Sequence, residues 1–221
     1  MASESRPYRS WTTMGGVVLT VLIICGIQTL LPNTVTIGPT DFVPFVEFIG
    51  IPIVCSLLFI APRNAKFIRL AMALFLALLV AATVMNALLL LWSLLGGTSE
   101  SGVVLLFSGF GVLAVNVLSF GLVYWWLDDG GPANRATNLM AHPDFLFPQE
   151  QMDGYDKWRP TLIDYLFTAY TNIIAFSPTD TMPLSHRVKA LFTLQSATAL
   201  LTIVVTLSRA INLIPGGAPG S

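Results

Sequence analysis

Charge is what this 221-residue chain has least of. Lys, Arg, Asp and Glu make up 10% of it, against about 25% in soluble globular proteins. With 54% hydrophobic residues and a mean hydropathy of +0.74, the composition excludes a soluble domain and defines an integral membrane protein. A formal net charge of -1 offers no basic surface for a nucleic-acid partner. Cysteine is equally scarce. Cys25 and Cys55 both fall inside apolar runs, where a thiol behaves as a small hydrophobe, so no disulfide is expected. Also missing are a metal-ligand spacing, a glycine-rich phosphate loop and a nucleophile motif. The expectation is a protein that is not an enzyme and carries no cofactor or metal. Asp128-Asp129 could hold Mg²⁺ against a lipid phosphate, with His142 and Asp144 in the same loop. Two aspartates before Gly130-Gly131-Pro132 read more simply as a helix stop.

What the chain does contain is a series of long apolar stretches. The first runs from about Met14 to Leu31 and stops at Pro32; it lacks a small-residue cleavage site and reads as an uncleaved span. The second covers about Phe42 to Ala61, where Pro52 removes a backbone hydrogen bond and predicts a kink. The third spans about Leu70 to Leu95, the fourth about Val103 to Leu127 and the last about Val188 to Leu213. No internal repeat is evident.

The segment from Asp164 to Lys189 differs from all of these. It starts as a helix, stays apolar for about a dozen residues, and breaks at Ser177-Pro178-Thr179-Asp180-Thr181-Met182-Pro183. A stretch that short does not cross a hydrocarbon core of about 30 Å, yet it is too apolar for a surface loop. It has the profile of a re-entrant segment, which survives at membrane depth only inside protein or beside a water-filled cavity. The fold class expected is therefore an all-α integral membrane protein with five full spans plus one re-entrant helix-loop before the last span. Its parts are a cytoplasmic tail over residues 1–13, a three-helix membrane region over 14–95, and a pore-like unit over 103–213. Within that unit an outer helix leads to a loop at 128–160, a short helix at 161–176, a break at 177–183 and a last helix at 188–213. Residues 214–221 form a flexible tail.

Basic residues set the orientation. Arg6, Arg9, Arg63, Lys66, Arg69, Arg135, Lys157, Arg159, Arg187 and Lys189 all fall on one side if 163–183 dips in and returns. The loops at 32–41 and 96–102 hold no Lys or Arg. That side is cytoplasmic, and only Arg209 lies at the other. Tyr124, Trp125 and Trp126 suit an interfacial aromatic belt. Pro143-Asp144-Phe145-Leu146-Phe147-Pro148 is an apolar patch expected on the membrane surface or against the helix bundle.

The outer helix, loop, short helix, break and last helix together resemble the pore unit of tetrameric cation channels. The potassium-selective filter of that family reads T-V-G-Y-G-D-x-x-P with a basic residue six positions on. Here Asp180-Thr181-Met182-Pro183 fits D-x-x-P and Lys189 is six beyond Pro183. Ala175-Phe176-Ser177-Pro178-Thr179 stands where T-V-G-Y-G would be. Ser177 and Thr179 replace the glycines that let successive carbonyls face the ion, and Pro178 between them stiffens the backbone, so a potassium filter is not expected. The resemblance implies a homo-oligomer, with a tetramer favoured, set in membrane lipid and passing a monovalent cation. The alternative is a non-conducting scaffold or accessory subunit on the same fold. The chain also resembles a group of bacterial multi-span membrane proteins with a similar FSPTDTMP stretch, which implies the bacterial inner membrane and brings no activity with it.

Candidate site residues follow. Ala175, Phe176, Ser177, Pro178, Thr179, Asp180 and Pro183 form the pore-loop set, and Thr168, Thr171, Asn172 and Thr181 add to the densest polar cluster at membrane depth. Asp180 either attracts cations, repeated as a ring by symmetry, or pins a turn. Gln195, Thr198, Thr202 and Thr206 fall on one face of the last helix, with Arg209 at its end. They either line a pore or satisfy their hydroxyls locally and across helices while Arg209 snorkels. Glu47, Asn86 and Asn116 lie within spans; Asn86 and Asn116 are expected to bond each other or Asn172 as structural contacts.

Overall fold

The computed structural model describes residues 11–32, 66–95, 101–135, 143–155, 158–174 and 180–213. The expected second span at Phe42 to Ala61, with Glu47, Pro52 and Cys55, lies outside the described residues, as do His142, Lys157, residues 175–179, residues 1–10 of the N-terminal tail and the tail at 214–221.

The described residues are mostly helical. Helix α1 runs Trp11–Leu30, α2 Lys66–Leu95 and α3 Gly102–Leu127, followed by a 3-10 turn at Asp128–Gly130 and a one-turn helix α4 at Pro132–Arg135. Strand β1 is Phe145–Leu146, a second 3-10 turn covers Pro148–Gln151, the short helix α5 is Leu162–Ile174, β2 is Met182–Pro183, and α6 is His186–Leu213. Three helices are long and apolar enough to cross a membrane, over Leu70–Ser93, Gly102–Gly130 and His186–Ser208, and Gly15–Leu30 is a shorter apolar helix.

Helix ends follow local chemistry. Ser101 caps α3 by accepting the Val104 N–H at 3.2 Å. At the other end Asp129, Gly130 and Gly131 adopt positive φ values of 49°, 73° and 105°, so the chain leaves α3 through a left-handed stretch that glycine supplies at no steric cost. Pro132 then opens α4. Ser185 stands before α6 and accepts the Val188 N–H at 3.4 Å. That cap starts α6 two residues before the sequence-based limit.

Helix α3 is the hub, packed against α6, α5, α2 and α1. Close contacts fix the directions. Gly16, early in α1, faces Leu162 at the start of α5, whereas Gly111 in the first half of α3 faces Ile27 and Leu31 at the end of α1. Ala73 and Leu76 of α2 line one groove with Trp126 and Leu127. So α1, α2, α5 and α6 all begin at the end of the bundle where α3 finishes. The described basic positions Lys66, Arg69, Arg135, Arg159, Arg187 and Lys189 belong to this end. Helix α1 finishes, and α2 starts, at opposite ends.

The core beneath this end is aromatic. Phe145, Tyr124 and Tyr165 are fully buried, and Phe145 sits 5.3 Å from the Tyr124 ring and 5.8 Å from Tyr165 and Phe192. The apolar patch at 143–148 therefore packs against the bundle, and its strand β1 pairs antiparallel with β2, Phe145 opposite Pro183 and Leu146 opposite Met182. The aromatic-belt expectation is corrected for two residues. Tyr124 and Trp125 are buried, and α3 turns Tyr124 onto Gln195 and Phe192 of α6.

Candidate functional site

The short helix is held at two depths. The shallow anchor is built on Asp128, the first residue beyond α3 and fully buried. Its Oδ1 accepts the backbone N–H of Asp144 at 2.8 Å and of Phe145 at 3.3 Å, and its Oδ2 accepts the Tyr165 hydroxyl at 2.5 Å. Asp144 answers by accepting the Asp129 N–H at 3.2 Å. Arg187 at the start of α6 donates Nε to Asp144 Oδ1 at 2.8 Å and Nη2 to Asp144 Oδ2, and Nη2 also reaches the Leu127 carbonyl at 3.2 Å. Arg135 donates to the carbonyls of Asp128 and Trp125 at 2.6 and 2.7 Å and lies 5.2 Å from the Tyr165 ring centroid. One aspartate pair thus ties the end of α3, the β1 strand, α5 and α6 together. The Asp128 carboxylate is engaged by N–H and O–H donors and the Asp144 carboxylate by N–H and guanidinium donors of the chain itself.

Asp144 gives this anchor a pH dependence. Burial works against its charge, but the Arg187 hydrogen bonds, the Ser185 hydroxyl and the Arg187 charge outweigh burial and hold the carboxyl below its ordinary value. A depressed folded-state value stabilises the fold above the unfolded value, about 4, and the contribution fades as pH falls through the lower folded value. Thermal melting in detergent is expected to weaken below about pH 4 in the wild type. Asp144→Asn is expected to be less stable at pH 7 and to lose that part of the acid slope. Parallel acid profiles for the two proteins would remove Asp144 as its source.

The deeper anchor is uncharged. Tyr124 donates its hydroxyl to Gln195 Oε1 at 2.7 Å, Asn172 Nδ2 donates to the same oxygen at 2.8 Å, and Gln195 Nε2 donates to the Ala169 carbonyl at 3.0 Å. Ser196 donates to Asn172 Oδ1 at 3.1 Å. Nearer the surface, Thr168 and Thr181 hydroxyls meet at 3.4 Å. The chain has therefore returned to the second turn of α5 by Thr181.

The candidates from sequence are distributed as follows. Asp180 is exposed beside β2, and Pro183 is half-buried within it; Ala175, Phe176, Ser177, Pro178 and Thr179 lie outside the described residues. Gln195, Thr198, Thr202 and Thr206 do share one face of α6, but that face is buried inside the chain. The three threonines donate to the carbonyls of Leu194, Thr198 and Thr202 at 2.8, 2.9 and 2.7 Å. Thr206 packs onto Gly109 so tightly that a Cβ there would stand 1.9 Å from its Oγ1. The two ends of the stripe meet α3, Gln195 at Tyr124 and Thr206 at Gly109. Asn86 donates to Gln28 Oε1 at 2.8 Å rather than to Asn116 or Asn172. Asn116 is buried with neither amide atom partnered among the described residues, an arrangement that costs about 1–3 kcal/mol when nothing compensates it.

Sequence reasoning missed Tyr124, Tyr165, Asp144 and Arg187 as network members. Comparison of the chain with family models, curated proteins and solved structures gives no match. What the fold defines is the class: a mostly helical membrane protein.

Proposed function

We propose that this chain is a pore-loop membrane protein of the bacterial inner membrane that assembles with copies of itself, a tetramer being favoured, and passes monovalent cations. The observation that carries the reading is the path of α5. Its 13 residues extend about 20 Å at 1.5 Å per residue, short of a hydrocarbon core of about 30 Å. Tyr165 near its start and Arg187 after the return both reach the one Asp128–Asp144 pair. Entry and exit at one end support a re-entrant segment, wedged between an outer helix α3 and an inner helix α6. Five full spans need one more crossing between α1 and α2, and the opposite ends at which these helices stop and start support it at Phe42 to Ala61. Asp180, exposed on the returning limb, is the carboxylate that would concentrate cations at the mouth.

A second reading, a non-conducting scaffold, is favoured by the inward-facing Gln195–Thr206 stripe. Reconstituted liposomes decide between them. Wild-type protein is expected to pass a monovalent cation, and Asp180→Asn to cut that flux or shift cation-over-anion preference while the oligomer stays intact. Absence of flux across voltage and pH would favour the scaffold. Flux with unchanged selectivity in the variant would remove Asp180 from the mechanism.

A further inference from the structure

The strongest unassigned feature is the amide of Asn116. It sits in the middle of α3, buried, with Nδ2 and Oδ1 both unpartnered among the described residues. Its surroundings can be placed by helix register. Gly109 of α3 touches Thr206 of α6, and Tyr124 of α3 bonds Gln195 of α6. Gly109 and Asn116 are seven residues apart, close to two turns, and so share a face. The antiparallel partner between Gln195 and Thr206 is then the stretch carrying Thr202. Each threonine there gives its one proton to its own helix, which leaves hydroxyl lone pairs as acceptors toward α3. On the neighbouring flank Thr83 donates to Ser119 at 3.3 Å.

We propose that Asn116 and Thr202 hold water at the membrane midplane inside one chain, on the stretch of the α3–α6 seam between the Gly109–Thr206 contact and the Tyr124–Gln195 bond. The chemistry selects the ligand. Asn116 needs an acceptor at Nδ2 and a donor at Oδ1, and water supplies both, whereas a bare cation satisfies only the oxygen. Buried water typically serves such otherwise unsatisfied groups with about three hydrogen bonds. The site holds whether or not ions pass through the oligomer, because it lies within one chain.

Water-edited solid-state NMR on the wild-type protein in liposomes tests this directly. Asn172 is the internal control, since its amide bonds Gln195, Phe192 and Ser196 within the protein. Magnetisation from water is expected to build up at the Asn116 side-chain amide at least fivefold faster than at that of Asn172. Equal rates would mean a dry site and overturn the proposal. Thr202→Val, which keeps shape and removes the hydroxyl, is expected to slow the Asn116 transfer at least twofold. No change in that variant, judged in protein with wild-type melting, would remove α6 from the site and overturn its assignment to the α3–α6 seam. Should Thr202→Val fail to fold, the wild-type comparison still decides.

Discussion

Asp128→Ala is expected to leave little folded protein to extract from membranes, and what is recovered should melt far below the wild type. The reason lies in the donors left behind. The Tyr165 hydroxyl and the N–H groups of Asp144 and Phe145 all point at this carboxylate, and Tyr165 and Phe145 are fully buried. Each buried donor stranded without an acceptor costs about 1–3 kcal/mol, against a total stability of about 5–15 kcal/mol for a folded protein. Tyr165→Phe is the control. It removes one donor and leaves the carboxylate to the two backbone groups, so it should cost only about 1–2 kcal/mol. Size-exclusion profiles and thermal melting in one detergent compare the two. If Asp128→Ala melts with Tyr165→Phe, the backbone donors are not held by Asp128 and the anchor is weaker than its geometry.

The anchor also shows why some of this fold could be read from sequence and some could not. Hydrophobic run length found the three described helices long enough to cross a membrane, because a membrane span advertises itself residue by residue. The short helix expected at 161–176 is described over Leu162–Ile174, and Pro160 stands two residues before its start. Residue type alone misread Asp128. An aspartate before two glycines does end the helix, but its carboxylate reaches Tyr165 across 37 positions, and no local pattern records that distance. The β1–β2 pair was invisible for the same reason: two residues carry no alternation to detect. The stripe on α6 was legible as a face. Which way the face turns depends on the neighbour, here a glycine at 109 that lets α3 come close enough to cover it. Asn116 could be seen as a polar residue in mid-span, whereas its lack of a partner is a property of the packed bundle. The signal available for Arg187 was its place in the D-x-x-P-x-x-x-R-x-K string, four residues after Pro183. Its partner Asp144 lies 43 residues away.

Gly121→Ala should unseat the short helix, and this is the sharpest test of how α5 is held. Gly121 lies on the α3 face that meets Leu166. A Cβ added there would stand 2.6 Å from Leu166 Cδ2 and 3.0 Å from Leu166 Cα. The first clash could be relieved by a rotamer change, but the second is with the helix backbone and requires α5 to move. Forcing extra volume into a packed core costs about 1–3 kcal/mol. Here the movement also strains the Tyr165–Asp128 bond above the contact and the Asn172–Gln195 bond below it. Melting is expected to drop accordingly, and protease cleavage of the returning 180–184 stretch to speed up. Leu166→Ala in the same chain separates the two clashes. It removes Cδ2 and keeps Cα, so it should restore only part of the lost stability. Full restoration would show that side-chain crowding, not backbone approach, sets the distance between α3 and α5. A silent Gly121→Ala would mean that α5 is not packed on α3 at all, and the wedge on which the pore-loop reading rests would go with it.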